Sequence, residues 1–436
     1  MKRYGNLYSL IADKENIELA FKKASLNKSR QKQIRLAKEH KDEIIESVHQ
    51  MLVNKTYHTS EYRTKIITEP KLRTIYMLPF YPDRIVHHAI MNVIEPILDK
   101  KLIYDCYSTR IGKGQIKATE RCKHYCKKYK YVLKCDISKF YPSINHAVLK
   151  NILRHIFKDS DLLSVLDEII DSTHTETNIP IGNYLSQWFG NIYLNELDRF
   201  VIKQGFSKII RYCDDFLIFS NSKEELNQLK PKIVEFLDEH LKLKLSKAQI
   251  SKCDIQGVTF LGYRHIQKPT QRILLKRETL KRIKTRLKCI QKIDINNKNI
   301  DRCRSQISSV IGWIQHTDCF NLYRDLNLSA LAEKVKLFQY DFRIMHNFSD
   351  FAEPTDVIGT KVSIKDILNK DIIIYGYKVY HKHDHDFLKI VFKTNNDDVK
   401  ISFTSSKILK KLLTKYKKQI PFGCKITKIN NSYRFN

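Results

Sequence analysis

The sequence predicts an α+β protein in which helices and antiparallel strands occupy separate stretches. Three observations carry this. Apolar residues recur at helical spacing in "IELAFKKA" and "IIESVHQMLVNKTY", and again across the basic stretch 275–345. Short β-branched runs such as "KYVLKCDI" and "KIIRYCDDFLIF" alternate with turns in the middle of the chain. The tail, 370–436, is again rich in strand-like runs and reads as a separate α+β appendage.

Taken in order, residues 1–60 read as an N-terminal helical extension. From "TKIITEPKLRTIYMLP" the texture turns to short strands, and "PDR" then opens an amphipathic helix, with Pro82 and Asp83 near its start. "KYVLKCDISKFYPSI" is a strand that ends in an acid and an aromatic pair. Helices follow over about 145–171, then the turn "NIPIGN", then a helix from about Ser186 to Gln204. "KIIRYCDDFLIFSNS" reads as a hairpin with its acids at the tip. In the next amphipathic helix Ser222 and Glu225 match a capping box. Residues 370–436 read strand, strand, strand, helix and a last strand, "CKITKINNSYRF", with "HKHDHD" as a polar hairpin loop. The expected domains are 1–60, a core over 61–270, a helical 271–350 and an appendage over 360–436.

The chain has 436 residues, enough for several domains, and 42% hydrophobic residues argue against a disordered protein. Its 78 Lys+Arg against 47 Asp+Glu leave a formal charge of +31. Such an excess points to a polyanionic partner, nucleic acid ahead of membrane. The N-terminus lacks the apolar core of a signal peptide and no stretch is long and apolar enough to span a bilayer, so a cytoplasmic protein is expected. Ten cysteines without a C-x-x-C pair suit a reducing compartment.

Asp214 and Asp215 stand side by side in an apolar run, where desolvation and mutual repulsion both oppose them. A positive partner resolves this. Asp136 closes a second strand, so a fold that joins the two strands brings three carboxylates together. Such a set suits paired magnesium ions, which take a few carboxylates and otherwise phosphate and water oxygens. Two ions about 4 Å apart activate a 3′-hydroxyl and stabilise leaving pyrophosphate.

These residues also carry a resemblance. "YCDD" in "RYCDDFLIF" resembles the Y-x-D-D motif of reverse transcriptases, and "CDISKFYPSI" resembles their first catalytic-aspartate motif. "IPIGNYLSQWFGNIYLNELD" is similar to their template-contacting motif, and "LKLKLSKAQI" and "FLGYRHI" to the two that follow. "RTIYMLPFYPDRIVHHAI" and "YSTRIGKG" resemble the finger motifs of bacterial, group II intron-like enzymes. The resemblance runs in family order over about residues 5–345. It implies a right-hand polymerase with fingers, a palm built on an antiparallel sheet, and a helical thumb at 271–350. It also implies RNA-directed DNA synthesis with two Mg²⁺ (Mn²⁺ as the alternative ion), dNTPs, an RNA template and a cDNA primer–template duplex.

By the same resemblance, Asp136, Asp214 and Asp215 hold the metals, Tyr141 is the aromatic gate against a ribose 2′-hydroxyl, and Lys247 protonates pyrophosphate. Gly182 and Gln187 face the nascent base pair, and Tyr212 the primer end. Arg73, Arg84 and Arg110 supply cations for the triphosphate, with Arg84 alternatively paired to Asp83 or Glu95. Ile181 stands where relatives carry a glutamine amide, and an apolar group there cannot constrain the pair by hydrogen bonding. I-G-N-x-x-S-Q resembles the error-prone reverse transcriptases of diversity-generating retroelements, which work with a small basic accessory protein. Three other readings stay open: an antiviral-defence reverse transcriptase copying a non-coding RNA, a group II intron maturase, and an inactive RNA-binding scaffold.

Overall fold

The computed structural model describes residues 3–335 except 29–30, 69–71, 255, 268–270, 294, 297–298, 320–321 and 323–324. Beyond 335 it describes 360–361, 371–382, 385–393, 399–404, 413, 422–429 and 432–435. The chain divides into two compact units, Met1–Lys276 and Arg277–Asn436.

The first unit opens with four helices, α1 (Tyr8–Ala12), α2 (Lys14–Ser25), α3 (Lys32–Glu39) and α4 (Lys41–Val53). Their apolar stripes, including Ile11, Ile17, Phe21 and Leu52, are buried in the main core. An exposed hairpin follows, β1 (Arg63–Ile67) with β2 (Arg73–Met77), paired antiparallel from Arg63↔Met77 to Ile67↔Arg73. Next come α5 (Ile85–Lys101), α6 (Gln115–Lys128), β3 (Tyr131–Ile137), the short α7 (Phe140–Ser143), α8 (His146–Ile156), α9 (Ser160–Asp171) and α10 (Tyr184–Lys203). The hairpin β4 (Ile209–Tyr212) and β5 (Asp215–Ser220), the helix α11 (Lys223–Leu241) and β6 (Leu245–Lys252) complete the central sheet. A small antiparallel sheet, β7 (Val258–Phe260), β8 (Tyr263–Ile266) and β9 (Arg272–Leu275), closes the unit.

The central sheet is antiparallel, in the order β4-β5-β3-β6. Side chains alternate across a strand, and this alternation gives the sheet two different faces. Leu133, Cys135, Ile137, Phe216 and Ile218 enter the main core with apolar residues of α8, α10 and α11. Val132, Leu217 and Phe219 join a second core with Cys122 and Tyr125 of α6 and with Phe260. Lys134, Asp136 and Asp215 fall on this second face by the same alternation and are only partly buried. One face is thus sealed along its length, and the other is open at the acid end.

Local signals explain the element ends. Ser222 caps α11, its hydroxyl accepting from the Glu225 N–H at 3.1 Å. The box is half formed, because the Glu225 carboxylate accepts from the Ser220 hydroxyl instead. The helix expected from about Ser186 begins at Tyr184, two residues earlier. Among the described residues no helix is long and apolar enough to cross a membrane.

In the second unit, α12 (Arg277–Lys292) and α13 (Ile300–Ile314) pack through buried residues such as Ile283, Leu287, Ile307 and Val310, followed by α14 (Leu328–Lys334). The tail forms a six-stranded sheet of β10 (Thr360–Lys361), β11 (Asp371–Lys382), β12 (His385–Lys393), β13 (Val399–Thr404), β14 (Phe422–Ile429) and β15 (Ser432–Phe435). Its order is β10-β13-β12-β11-β14-β15. The single strand expected at "CKITKINNSYRF" is two strands folded back on each other, with Ile429 paired to Ser432. The helix expected over 405–419 lies outside the described residues apart from Leu413, which is buried.

Candidate active site

The hairpin β4–β5 closes through the pair Tyr212↔Asp215, leaving Cys213 and Asp214 as a two-residue turn. Cys213 has φ +54, a left-handed conformation that costs an L residue about 1–2 kcal/mol. The surroundings hold it there. Arg211 Nη1 donates to the Cys213 carbonyl at 3.2 Å, and the Ser108 hydroxyl meets Cys213 Sγ at 2.9 Å. Arg211 is itself wholly buried and forks its Nε onto both oxygens of Asp198 at 2.8 and 2.9 Å. Its Nη1 and Nη2 reach the Asn191 side chain and carbonyl. An arginine on the strand and an acid on α10 thus clamp the turn that presents Asp214.

The adjacent strand supplies the third acid. β3 and β5 pair up to Cys135↔Phe216, so Asp136 and Asp215 are the next residues on each strand. Asp136 Oδ2 accepts from the Ser246 hydroxyl at 2.8 Å, and Asp136 lies opposite Lys247 in the β3–β6 ladder. Lys134 Nζ approaches Asp215 Oδ2 at 3.7 Å and donates to the Thr259 carbonyl. Burial pushes the Asp215 carboxyl up to about 6; Lys134 opposes the rise, while Asp136 and Asp214 add to it. Asp136 and Asp214 are therefore both within electrostatic reach of Asp215.

Among the described residues, no group of three or more His, Cys, Asp or Glu side chains is drawn close enough to hold a metal ion by itself. The donor set nevertheless fits a hard divalent cation. All three side chains offer oxygen only, and Asp215 Oδ1 is buried without a hydrogen-bond partner. A cation completed by phosphate and water oxygens asks for no more protein ligands than these.

The other sequence-derived residues divide into two groups. Tyr141 lies beside the turn: its ring sits against Gly190 of α10, where a Cβ would come within 3.3 Å of it. Burial raises its hydroxyl pKa, with Cys213 and Asp214 adding to the rise. Phe140 is buried as packing. Tyr212 packs against the second core. Gln187 is exposed, and its side-chain oxygen accepts from the Thr109 hydroxyl.

In the second group, Gly182 and Arg110 sit differently from expectation. Gly182, at φ +130, faces the β1–β2 hairpin: a Cβ there would lie 2.3 Å from the Tyr76 carbonyl oxygen. The Tyr76 N–H in turn donates to the Ile181 carbonyl at 2.8 Å. The glycine therefore lets two protein backbones meet. Arg110 is not free to clamp a triphosphate, because its side chain is 9% exposed and donates to Asp99 and to the Ile103 and Cys106 carbonyls. Arg73 is exposed, at the first position of β2. Arg84 pairs with neither suggested acid: Asp83 accepts from the Tyr57 hydroxyl and Ser60 N–H, and Glu95 from the Tyr184 hydroxyl. Ser246, Lys134, Arg211 and Asp198 escaped the sequence reading. Only the position of Ser246 beside Lys247 hinted at a role.

Comparison with known proteins agrees with this geometry. Residues 65–265 match the family described as reverse transcriptase (RNA-dependent DNA polymerase). Residues 358–436 match a domain family of unknown function. A putative COX1/OXI3 intron 2 protein of Saccharomyces cerevisiae is 24% identical over 27% of this chain and 15% of its own length. The group II intron-encoded protein LtrA of Lactococcus lactis subsp. cremoris is 21% identical over 51% of this chain and 49% of its own. The chain thus spans half or less of these curated relatives. Apo telomerase from Candida tropicalis superposes with a TM-score of 0.43 and 14% identity, covering 64% of this chain and 57% of the other. Acid-tipped hairpin, neighbouring acidic strand and the match to the reverse transcriptase family coincide over one segment, residues 65–265.

Proposed function

We propose that the chain is an RNA-directed DNA polymerase that extends a primer on an RNA template. What supports this is the register that sets Asp136 and Asp215 one residue beyond the paired Cys135 and Phe216, with Asp214 in the adjoining turn and Asp215 Oδ1 buried and unpartnered. The three carboxylates would hold two divalent ions, magnesium by the chemistry of the donors, which would lower the pKa of the primer 3′-hydroxyl and neutralise charge on the leaving pyrophosphate. Ser246 fixes the Asp136 carboxylate, and Lys134 balances Asp215. The Tyr141 ring, buried beside the acid-bearing turn, would clash with a ribose 2′-hydroxyl and so favour dNTPs. Exposed Lys247, opposite Asp136, is placed to give a proton to pyrophosphate. Arg73 is the cation for the triphosphate, and Gln187 with Ile181 borders the base pair. Purified protein with RNA template, DNA primer, dNTPs and Mg²⁺ tests this: extension that depends on Asp214 supports it, and RNA binding without extension contradicts it.

Within this activity we favour the error-prone enzyme of a diversity-generating retroelement, on the strength of "IGNYLSQ" and of apolar Ile181. The expected partners are the template RNA, its cDNA duplex and a small basic accessory protein. Unbonded cysteines, several of them buried, suit a cytoplasmic setting. Sequencing the RNA and cDNA that co-purify tests the subtype: errors concentrated at template adenines support it, and faithful copies of one structured non-coding RNA favour the antiviral-defence reading.

A further inference from the structure

A cavity of about 440 Å³ opens between α8, α10 and α11, with Lys101, the last residue of α5, also lining it. Apolar side chains such as Ile152, Ile192, Phe236 and Leu241 form much of its wall. None of the three acids, and neither Ser246 nor Lys134, lines it. The size is within the range that encloses a small organic ligand.

Three polar residues of α10 join this lining in a single stripe. Ile192, Asn195, Glu196 and Arg199 follow the i, i+3, i+4, i+7 spacing that brings side chains to one helix face. Asn195 is 3% exposed, and its Oδ1 is buried without a hydrogen-bond partner. Arg199 donates through Nη2 to the Lys101 carbonyl at 3.0 Å, while its Nε is buried and unpartnered. Each buried polar atom left unpaired costs about 1–3 kcal/mol, and a ligand that pairs both recovers that cost. Phe236 stacks on Phe200 at 4.3 Å between centroids, and the His240 ring lies 4.8 Å from Phe236, which gives the cavity an aromatic side.

The order of these groups specifies a ligand. The Asn195 carboxamide offers a donor and an acceptor side by side, the pairing that reads the edge of a purine. Glu196, the next residue, is exposed and can accept from ribose hydroxyls. Arg199 and Lys101 supply two cations for a phosphate. Phe236 and His240 give a flat base a ring to lie against. A simple carboxylate would use the cations and leave Asn195 unpaired.

We propose that this cavity binds a free purine nucleoside monophosphate, base toward Asn195 and phosphate toward Arg199, at a site separate from the acid-bearing turn. Nothing in the arrangement depends on polymerase activity, so the site stands or falls by itself.

Isothermal titration calorimetry on the full chain tests it, with EDTA present so that no divalent ion supports binding at the acids. The probes are AMP, adenosine and ribose 5-phosphate, on wild type, Asn195→Leu, Arg199→Gln and Asp214→Asn. AMP should bind wild type and Asp214→Asn equally, adenosine about tenfold more weakly, and ribose 5-phosphate more weakly still. Arg199→Gln should lower AMP affinity about tenfold, to the level of adenosine, and leave adenosine unchanged. Asn195→Leu should weaken both by about tenfold, and its unfolding temperature should match or exceed that of wild type, because it removes an unpartnered polar group. Should Asn195→Leu fail to fold, the phosphate-specific loss in Arg199→Gln decides alone. Absence of AMP binding to wild type overturns the proposal, as does equal loss of AMP and adenosine in Arg199→Gln, which a merely structural arginine would give. Loss of AMP binding in Asp214→Asn would put the nucleotide at the acids. Tighter binding of an oligonucleotide ending in AMP than of AMP itself would make the occupant a nucleic-acid end. Either result also overturns it.

Discussion

Arg211 and Asp198 form an ion pair in which neither side chain is exposed, and the same guanidinium donates to the Cys213 carbonyl in the acid-bearing turn. Burial alone would lower the arginine's pKa, but Asp198 outweighs it and holds the group charged. Removing one partner strands a buried charge, which costs about 3–5 kcal/mol. Asp198→Asn should therefore lower the denaturation midpoint sharply. The double variant Asp198→Leu/Arg211→Met should recover much of that stability, yet it should not recover extension, because the Cys213 carbonyl has lost its donor. Denaturant unfolding and primer extension on the three proteins check both halves.

Gly182 and Tyr76 supply a second test. A methyl group 2.3 Å from the Tyr76 oxygen must push the β1–β2 hairpin away, and φ +130 is itself strained for alanine. Gly182→Ala should break the Tyr76 N–H to Ile181 carbonyl bond. Hydrogen exchange then shows faster exchange at Tyr76, while amides of β3 stay protected. Unchanged exchange at Tyr76 would contradict the coupling.

Ser246 reaches Asp136 from the neighbouring strand. The Ser246→Ala variant removes a hydrogen bond to a charged group, an interaction of about 1.5–3 kcal/mol. Extension should fall by about tenfold or more while RNA binding stays constant, since the residue orients one acid and touches no phosphate. Ser246→Thr, which keeps the hydroxyl, should restore most of the rate.

His265 on β8 is fully buried, and neither ring nitrogen has a hydrogen-bond partner. Burial, with Lys123 adding, lowers its pKa from 6.5 to about 4. The unfolded chain therefore binds a proton that the folded chain refuses between those values. This part of the stability is complete above pH 6.5 and declines as pH falls toward 4, by about 3 kcal/mol across the window. His265→Phe should flatten the acid limb of the wild-type stability–pH curve and raise stability at neutral pH; parallel curves for the two proteins would contradict this.

How much of this was legible in the sequence follows from the range of each interaction. The acid-tipped hairpin was readable because "RYCDDFLIFS" places two polar residues between two apolar runs, a local pattern. The Ser222 cap was readable for the same reason, although the Glu225 carboxylate turned to Ser220. Arg211 and Asp198 were visible only as charges; their burial depends on a helix and a strand packing together. Arg110 looked like a free cation because nothing in "YSTRIGKG" reveals Asp99 at the end of the preceding helix. Gly182 was recognisable as a close approach, but its partner, Tyr76, lies on a distant hairpin.

The most direct measurement is the number of Mn²⁺ ions bound, read by electron paramagnetic resonance in the presence of primer–template and a non-reactive dNTP analogue. Wild type should hold two ions per chain, and Asp136→Asn and Asp214→Asn should each lose at least one along with extension. Undiminished Mn²⁺ binding in both variants would mean that these carboxylates do not share the metals, and the site would have to be sought elsewhere.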